Sequence, residues 1–346
     1  MINRDLIKGL ALEHSDSPKG GKILKILFSS YCDNNCYYCI WRRDRNVKRF
    51  VYNPEKLSKF IIEYSKKRPI SGIFLTSGVF KNPNRTMENL IKVVEILKFK
   101  FGYKNYIHLK VLPNVEYSLM ERAKEIADRV SLNLEAPCEN YLKKLSPDKK
   151  FKDGLFKQLL ELAKIKGKAG LSTQFVVGAY EEKDIDYLKI ADLLYKKYNF
   201  KRVYYSGFQP IPNTPMENLK STSKLREYRL YQADTLLRIY KFSLKEIPFD
   251  KNGNLPLDKD PKLSWALKNI HLFPIEINKA EPEELIRIPG IGIKTAQKII
   301  KMRVKQKIKD PEILKKLGVN LKKAEKFILI DGKTPIRKSF VYITLF

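Results

Sequence analysis

From residue 22 to about residue 240 the chain alternates short apolar runs with longer amphipathic ones. The apolar runs are KILKILFSS (22–30), ISGIFLTS (70–77), YIHLKVLP (106–113), RVSLNLEAP (129–137), LSTQFVVG (171–178) and KRVYYSGF (201–208). Their length and their β-branched and aromatic content are those of buried strands. Between them apolar residues recur at i, i+3, i+4 and i+7. In PEKLSKFIIEYSKKR, Leu57, Phe60, Ile61 and Tyr64 share one face and Pro54 opens the helix. ENLIKVVEILKFKF, YSLMERAKEIA, GLFKQLLELAKIKG and DYLKIADLLYKKY repeat the pattern. Strand–helix alternation on this spacing builds right-handed crossovers and a parallel sheet. The expected fold is α/β, a partial (β/α)6 TIM-like barrel whose site lies at the C-terminal ends of its strands. An open doubly wound sheet fits the same periodicity. A further helix, SKLREYRLYQADTLLRIYKF (223–242), is expected on the barrel exterior.

Beyond residue 242 the pattern changes. Residues 1–242 read as the barrel, 243–274 as a Pro-, Asp- and Lys-rich extended linker, and 275–346 as a small all-α domain. Within the last, NKAEPEELIRIPGIGIKTAQKIIKMR (278–303) places two short helices around Pro289, Gly290, Ile291 and Gly292. Glycine there permits a turn too tight for Cβ atoms. The N–H groups opening the second helix would then face a phosphate, with Lys294 and Thr295 adding contacts. This segment resembles the helix-hairpin-helix module of DNA-repair and replication proteins, which grips the backbone without reading sequence. Leu285, Ile288, Ile291, Ala296 and Ile299 would be its core, and DPEILKKLGVNLKKAEKFI, with Gly318, reads as a looser second copy.

Charge points the same way. Lys and Arg number 68 against 38 Asp and Glu, a formal net charge of +30. A Lys-rich thermophile composition is the bland alternative, but ion-pair networks need both signs. A field this positive favours a polyanion. Residues 265–346 carry 18 basic against 8 acidic residues, so 18 − 8 = +10 sits in this short tail. No apolar run is long enough to span a membrane, and MINRDLIKGLALEHSD has no signal-peptide core, so a cytoplasmic protein is expected. Three scattered histidines, His14, His108 and His271, argue against a histidine-centred hydrolase.

Three of the four cysteines fall in YCDNNCYYC, directly after the first strand run. A zinc site wants four closed ligands, and the remaining cysteine, Cys138, lies far along the chain. Three thiolates on one loop, Cys32, Cys36 and Cys39, instead suit three irons of a [4Fe-4S] cluster and leave the fourth iron open. Cys-x3-Cys-x2-Cys in this position resembles the signature of the radical SAM superfamily, and residues 20–240 resemble its barrel. The resemblance implies S-adenosyl-L-methionine (SAM) as second cofactor, bound through the open iron and cleaved to a 5′-deoxyadenosyl radical. It places Tyr38 beside the adenine. Thr76, Ser77 and Gly78 stand where the superfamily often has Gly-Gly-Glu, keeping one glycine and departing elsewhere. Ser131, Asn133 and Glu135, alternating on one strand face, would reach ribose or carboxylate. Gln174 and Val177 would wall the adenine.

The whole chain resembles a group of radical SAM proteins described as acting in DNA modification or DNA repair, on the LTSG turn, NLEAP, TQFVVGA with Glu181 and Glu182, VYYSGF and LIRIPGIG. That implies a nucleic-acid substrate, DNA favoured over RNA, an electron donor such as ferredoxin or flavodoxin, and a uracil-DNA-glycosylase-like partner. Two alternatives stand beside it: a radical SAM enzyme modifying tRNA or other RNA, and a non-catalytic Fe–S nucleic-acid-binding protein. Arg42, Arg43 and Arg45 after the loop could clamp phosphates or simply be solvated.

Overall fold

The computed structural model describes residues 10–14 and 21–335. The outermost parts of the first and last expected domains, residues 1–9, 15–20 and 336–346, lie outside the described residues. The chain divides into two compact units, Met1–Glu227 and Tyr228–Phe346.

The first unit is built on one seven-stranded sheet in sequential order. Strand β1 (Leu10–His14) pairs antiparallel with β2 (Lys22–Leu27). From β2 onward every pairing is parallel: β3 (Gly72–Thr76), β4 (Tyr106–Lys110), β5 (Arg129–Ser131), β6 (Gly170–Val177) and β7 (Arg202–Gly207). Six parallel strands with helices in each crossover form the half-barrel expected from the alternation. The crossovers carry α1 (Pro54–Lys67), α2 (Pro83–Glu95), α3 (Tyr117–Ile126), α4 (Glu139–Leu145), α5 (Lys157–Lys164) and α6 (Asp184–Tyr198). Local chemistry sets their starts. Asn53 and Asn82 cap α1 and α2 by accepting backbone N–H groups, and a proline follows each cap. Three of the four residues expected on one face of α1 are buried, Leu57 and Ile61 fully and Phe60 nearly so, while Tyr64 at the end of the face is half-buried.

One strand is much shorter than its apolar run suggests. Of residues 129–137 only Arg129–Ser131 pair as strand, and Glu135 takes a left-handed φ of +65°. The chain there leaves the sheet and rejoins it at one bridge, Glu135 to Phe175.

Helix α7 spans Lys224–Arg238, and from Tyr228 onward its residues cluster with the second unit. The stretch 243–274, expected as an extended linker, carries a helix, α8 (Pro261–Lys268). Asp260 caps it through the Leu263 N–H and Pro261 opens it. Trp265 on α8 is buried edge-on against Phe242, ring centroids 5.2 Å apart. The hairpin region follows as α9 (Pro282–Leu285), α10 (Ile293–Lys305), α11 (Pro311–Leu317) and α12 (Leu321–Ala324). A two-residue parallel ladder, β8 (Ile275–Glu276) with β9 (Ile328–Leu329), joins its ends. Leu285, Ile288, Ile291, Ala296 and Ile299 are all buried, as the hairpin reading requires.

Candidate functional site

The three-cysteine loop begins just past β2, at the C-terminal end of the parallel strands. Arg49 holds it in shape. Its guanidinium donates to the backbone carbonyls of Ser30, Trp41, Arg42, Arg43 and Arg45 at 2.6 to 3.4 Å. Those five oxygens have few other partners in so tight a loop, and a rigid five-donor fork satisfies them together. Gly78 supplies the second constraint. A Cβ there would stand 2.2 Å from the Tyr31 carbonyl oxygen, so the turn after β3 presses directly on the loop. Its N–H donates to the Ser29 carbonyl at 2.8 Å, and its carbonyl accepts from the Ser77 hydroxyl at 2.7 Å. The arginines after the loop brace it too: Arg43 reaches the Asp33 carbonyl and Asp44, and Arg45 reaches the carbonyls of Ile40 and Pro212.

Cys32, Cys36 and Cys39 line one cavity of about 190 Å³. Tyr38, Thr76, Ser77, Gly78, Asn133 and Glu135 line it as well. Ser131, Gln174 and Val177 do not. The Ser131 hydroxyl is instead 2.9 Å from His108 Nε2, and Val177 is fully buried. For Ser131 the reason lies in the backbone: the strand ends there and Glu135 is left-handed, so the alternation expected through Ser131, Asn133 and Glu135 does not hold. Two lysines that the motifs do not mark, Lys110 at the end of β4 and Lys149 after α4, complete the wall.

The three thiols are free and fit a cluster. Each sulfur has a polar neighbour: Asn34 Nδ2 donates to Cys32 Sγ at 3.8 Å, the Trp41 N–H to Cys39 Sγ at 3.4 Å, and Ser146 Oγ lies 3.1 Å from Cys36 Sγ. Such contacts orient thiolates and tune the potential of an iron–sulfur group. Among the described residues no three His, Cys, Asp or Glu side chains close on a single ion. Burial pushes the Cys39 thiol up to about 11, so iron binding rather than the protein's own field would remove its proton.

Beside the thiols lies a buried ionic group. Lys149 Nζ is 3.2 Å from Glu135 Oε1, with both side chains at most 10% exposed, and the Tyr38 hydroxyl bonds the same carboxylate. Burial alone would raise the Glu135 carboxyl, but Lys149 and Lys110 outweigh it and hold it below the usual carboxylate range. Tyr38 is raised well above its ordinary value, first by burial and then by the Glu135 charge. Glu135 is thus an ionised, fixed acceptor and Tyr38 a neutral donor, ready for a ligand carrying hydroxyl and ammonium groups.

In the second unit the hairpin turn adopts the conformation its glycines predict. Gly290 has φ +85°, and a Cβ there would meet the Asn320 carbonyl oxygen at 2.5 Å. Gly292 caps α10. Lys294 is exposed, Pro289 is buried, and Thr295 donates weakly to the Gly318 carbonyl at 3.4 Å, tying the two hairpin copies together. The Tyr240 hydroxyl lies beside the start of α10, 3.5 Å from where a Cβ on Gly292 would stand.

A half-barrel with a three-thiol loop after its first parallel strand defines a class, and comparison with known proteins supplies its family. Residues 26–194 match the radical SAM superfamily and residues 273–327 the helix-hairpin-helix motif. Residues 26–194 thus carry a domain of the radical SAM superfamily, whose enzymes work with a [4Fe-4S] cluster and SAM. It is 30% identical over 200 residues to the FeFe-hydrogenase maturase subunit HydE of Thermotoga maritima, a stretch covering 56% of this chain and 53% of that one. The chain thus spans about half the length of this curated relative. Among solved structures it resembles methylornithine synthase (PylB), with TM-score 0.52 and 20% identity over 62% of this chain and 61% of that one. It also resembles the FeFe-hydrogenase maturase HydG from Carboxydothermus hydrogenoformans, with TM-score 0.51 and 18% identity over 62% and 51%. At these identities the structural likeness establishes the shared fold. No helix among the described residues is long and apolar enough to cross a membrane.

Proposed function

We propose that this protein binds a [4Fe-4S] cluster on Cys32, Cys36 and Cys39, cleaves SAM reductively, and turns the radical on a nucleic acid, DNA ahead of RNA. The single observation that carries the first part is the shared cavity. It collects three free thiols, a fixed carboxylate and several neutral polar groups at the C-terminal mouth of the barrel. When bound, cluster and SAM supply the 5′-deoxyadenosyl radical. The chain's own residues bind and orient. Glu135, pinned by Lys149 and Tyr38, accepts from a ribose hydroxyl or an ammonium group, while Thr76, Ser77 and Asn133 offer neutral donors and acceptors. The nucleic-acid part rests on the +30 charge and on the hairpin, whose turn and exposed Lys294 suit a phosphate backbone. DNA repair or modification is the outcome the family resemblance favours, with a ferredoxin- or flavodoxin-like reductant and a glycosylase-like protein as candidate partners.

The test is anaerobic reconstitution with iron and sulfide, then SAM and dithionite, with oligonucleotides deuterated in the sugar or base. Deuterium in the 5′-deoxyadenosine product names DNA or RNA as substrate. Absence of 5′-deoxyadenosine under every condition defeats the enzymatic reading. SAM cleavage without label from any DNA or tRNA moves the substrate elsewhere, toward the small molecules or proteins suggested by a maturase relative.

A further inference from the structure

A cavity of about 480 Å³ in the second unit has been given no role so far. It lies within the size range of small-molecule sites, roughly 300–1,000 Å³. One wall is a single face of α7: Tyr228, Tyr231, Gln232 and Thr235 at helical spacing. The floor is the hairpin turn itself, Gly290 to Gly292, and the far wall carries Tyr240, Lys262 and Asn320. Lys262 Nζ donates to the Ile291 carbonyl at 2.5 Å and sits 4.8 Å above the Tyr240 ring. The one acid in the lining, Asp260, is spent on the Lys323 ammonium, 2.7 Å away, and on capping α8. What remains for a ligand is aromatic surface and amide groups, since Lys323 is spent on Asp260 and burial lowers Lys262 to about 7. Tyr228 is 58% exposed, so its ring is open to a ligand.

We infer that this cavity receives an unpaired nucleobase from the strand whose phosphate the hairpin holds. The inference rests on the nucleic-acid reading above and deepens it: the hairpin would grip single-stranded or unstacked nucleic acid in preference to an intact duplex. Three features select a base over other ligands. Gly290 to Gly292 line the cavity, so a nucleoside attached to a phosphate held at that turn has only a short distance to travel. Tyr228 and Tyr231 stand one helical turn apart and offer ring faces on which any base can stack. Gln232 still has its amide hydrogens after its oxygen accepts from Arg229 at 2.8 Å, and Asn320 is exposed, so base edges find donors and acceptors. In a duplex the base stays inside the stack and cannot reach these groups.

The experiment uses the full chain at fixed salt and compares fluorescein-labelled oligothymidylate, an abasic oligomer of equal length and charge, and a blunt duplex. Wild type is expected to bind oligothymidylate roughly tenfold more tightly than the abasic oligomer, the size of one base–aromatic stack. Tyr228→Ala with Tyr231→Ala should remove that preference and leave abasic binding unchanged. Lys294→Glu should weaken all three probes alike. Equal affinity of wild type for the base-bearing and abasic strands overturns the base pocket alone, and the backbone reading survives. Failure to bind any of the three overturns both. Photocrosslinking of bromodeoxyuridine-substituted strand to wild type needs no variant to fold: adducts at Tyr228, Tyr231 or Tyr240 are expected, and adducts confined to other peptides overturn the assignment.

Discussion

The two cavities treat charge in opposite ways. In the first unit a carboxylate, two lysines and a tyrosine are gathered beside three thiols, and the carboxylate is fixed by its ion pair with Lys149. In the second unit the cavity is walled by tyrosines and amides, its one acid is neutralised, and an aromatic ring stands in solvent. Radical chemistry needs groups positioned before the ligand arrives, and burial makes their charges strong. Holding a long polyanion needs generic attraction and faces that tolerate many bases. Each cavity suits the task proposed for it. The two units can also be watched separately, because the chain has two tryptophans, Trp41 in the first and Trp265 in the second.

The sharpest break between the units is Cys36→Ala. We expect loss of bound iron after reconstitution and no 5′-deoxyadenosine from SAM, while oligonucleotide affinity at the hairpin stays within about twofold, since nothing in the second unit depends on that thiol. Iron retained at the wild-type level would remove Cys36 from the ligand set.

Next in size is the buried pair. Lys149→Met leaves Glu135 ionised and buried without its main partner, a change that typically costs roughly 3–5 kcal/mol. Urea unfolding read by Trp41 in a Trp265→Phe background should show that loss. Adding Glu135→Gln should restore most of it, because no unpaired charge then remains. A loss below about 1 kcal/mol in the single variant would mean that Lys110 alone suffices.

How much of this was legible in the sequence follows the same division. The cysteine loop could be read because its three ligands sit within eight positions, and the hairpin because its glycines and apolar spacing are local. The half-barrel was legible in the alternation of periods. Arg49, Lys110 and Lys149 were not, since each works through contacts with segments distant in sequence. Arg49 binds carbonyls as far back as Ser30, and Lys149 meets Glu135 only after α4 has turned the chain around. The alternation drawn through Ser131, Asn133 and Glu135 continued a strand past its true end. Only two of the three reach the cavity. Residues 243–274 looked extended because proline and aspartate were counted as breakers. In Asp260–Pro261 the same pair is a cap followed by a first-turn proline, a helix start.

Glycine contrasts the turns within the second unit. Gly290→Ala forces a Cβ against the Asn320 carbonyl at a left-handed φ, so the Trp265-reported midpoint should fall by about 1–3 kcal/mol. Gly292→Ala should be close to neutral for stability, because its φ is −94° and the nearest atom to an added Cβ is the Tyr240 hydroxyl at 3.5 Å. Equal losses at both positions would show that the turn tolerates no side chain anywhere.

The smallest expected effect separates cap from charge at Asp260. Burial would raise this carboxyl, but Lys323 and the Leu263 N–H outweigh that and hold it below its ordinary range. A depressed folded value means that its contribution to stability is complete above the ordinary carboxylate range and is lost as pH falls through the folded value. Asn caps a helix about as well as Asp, so Asp260→Asn keeps the α8 cap and removes only the ion pair with Lys323, which is 47% exposed. At neutral pH we expect a loss under about 1 kcal/mol, as for other exposed pairs. Asp260→Ala, losing the cap as well, should fall by roughly another 1 kcal/mol. The gap between wild type and Asp260→Asn should close as acid protonates the wild-type carboxyl, while the gap to Asp260→Ala should narrow only to the share of the cap. If Asp260→Asn instead remains weaker than wild type at a pH where the carboxyl is protonated, the aspartate's value is its geometry in the cap and not its charge.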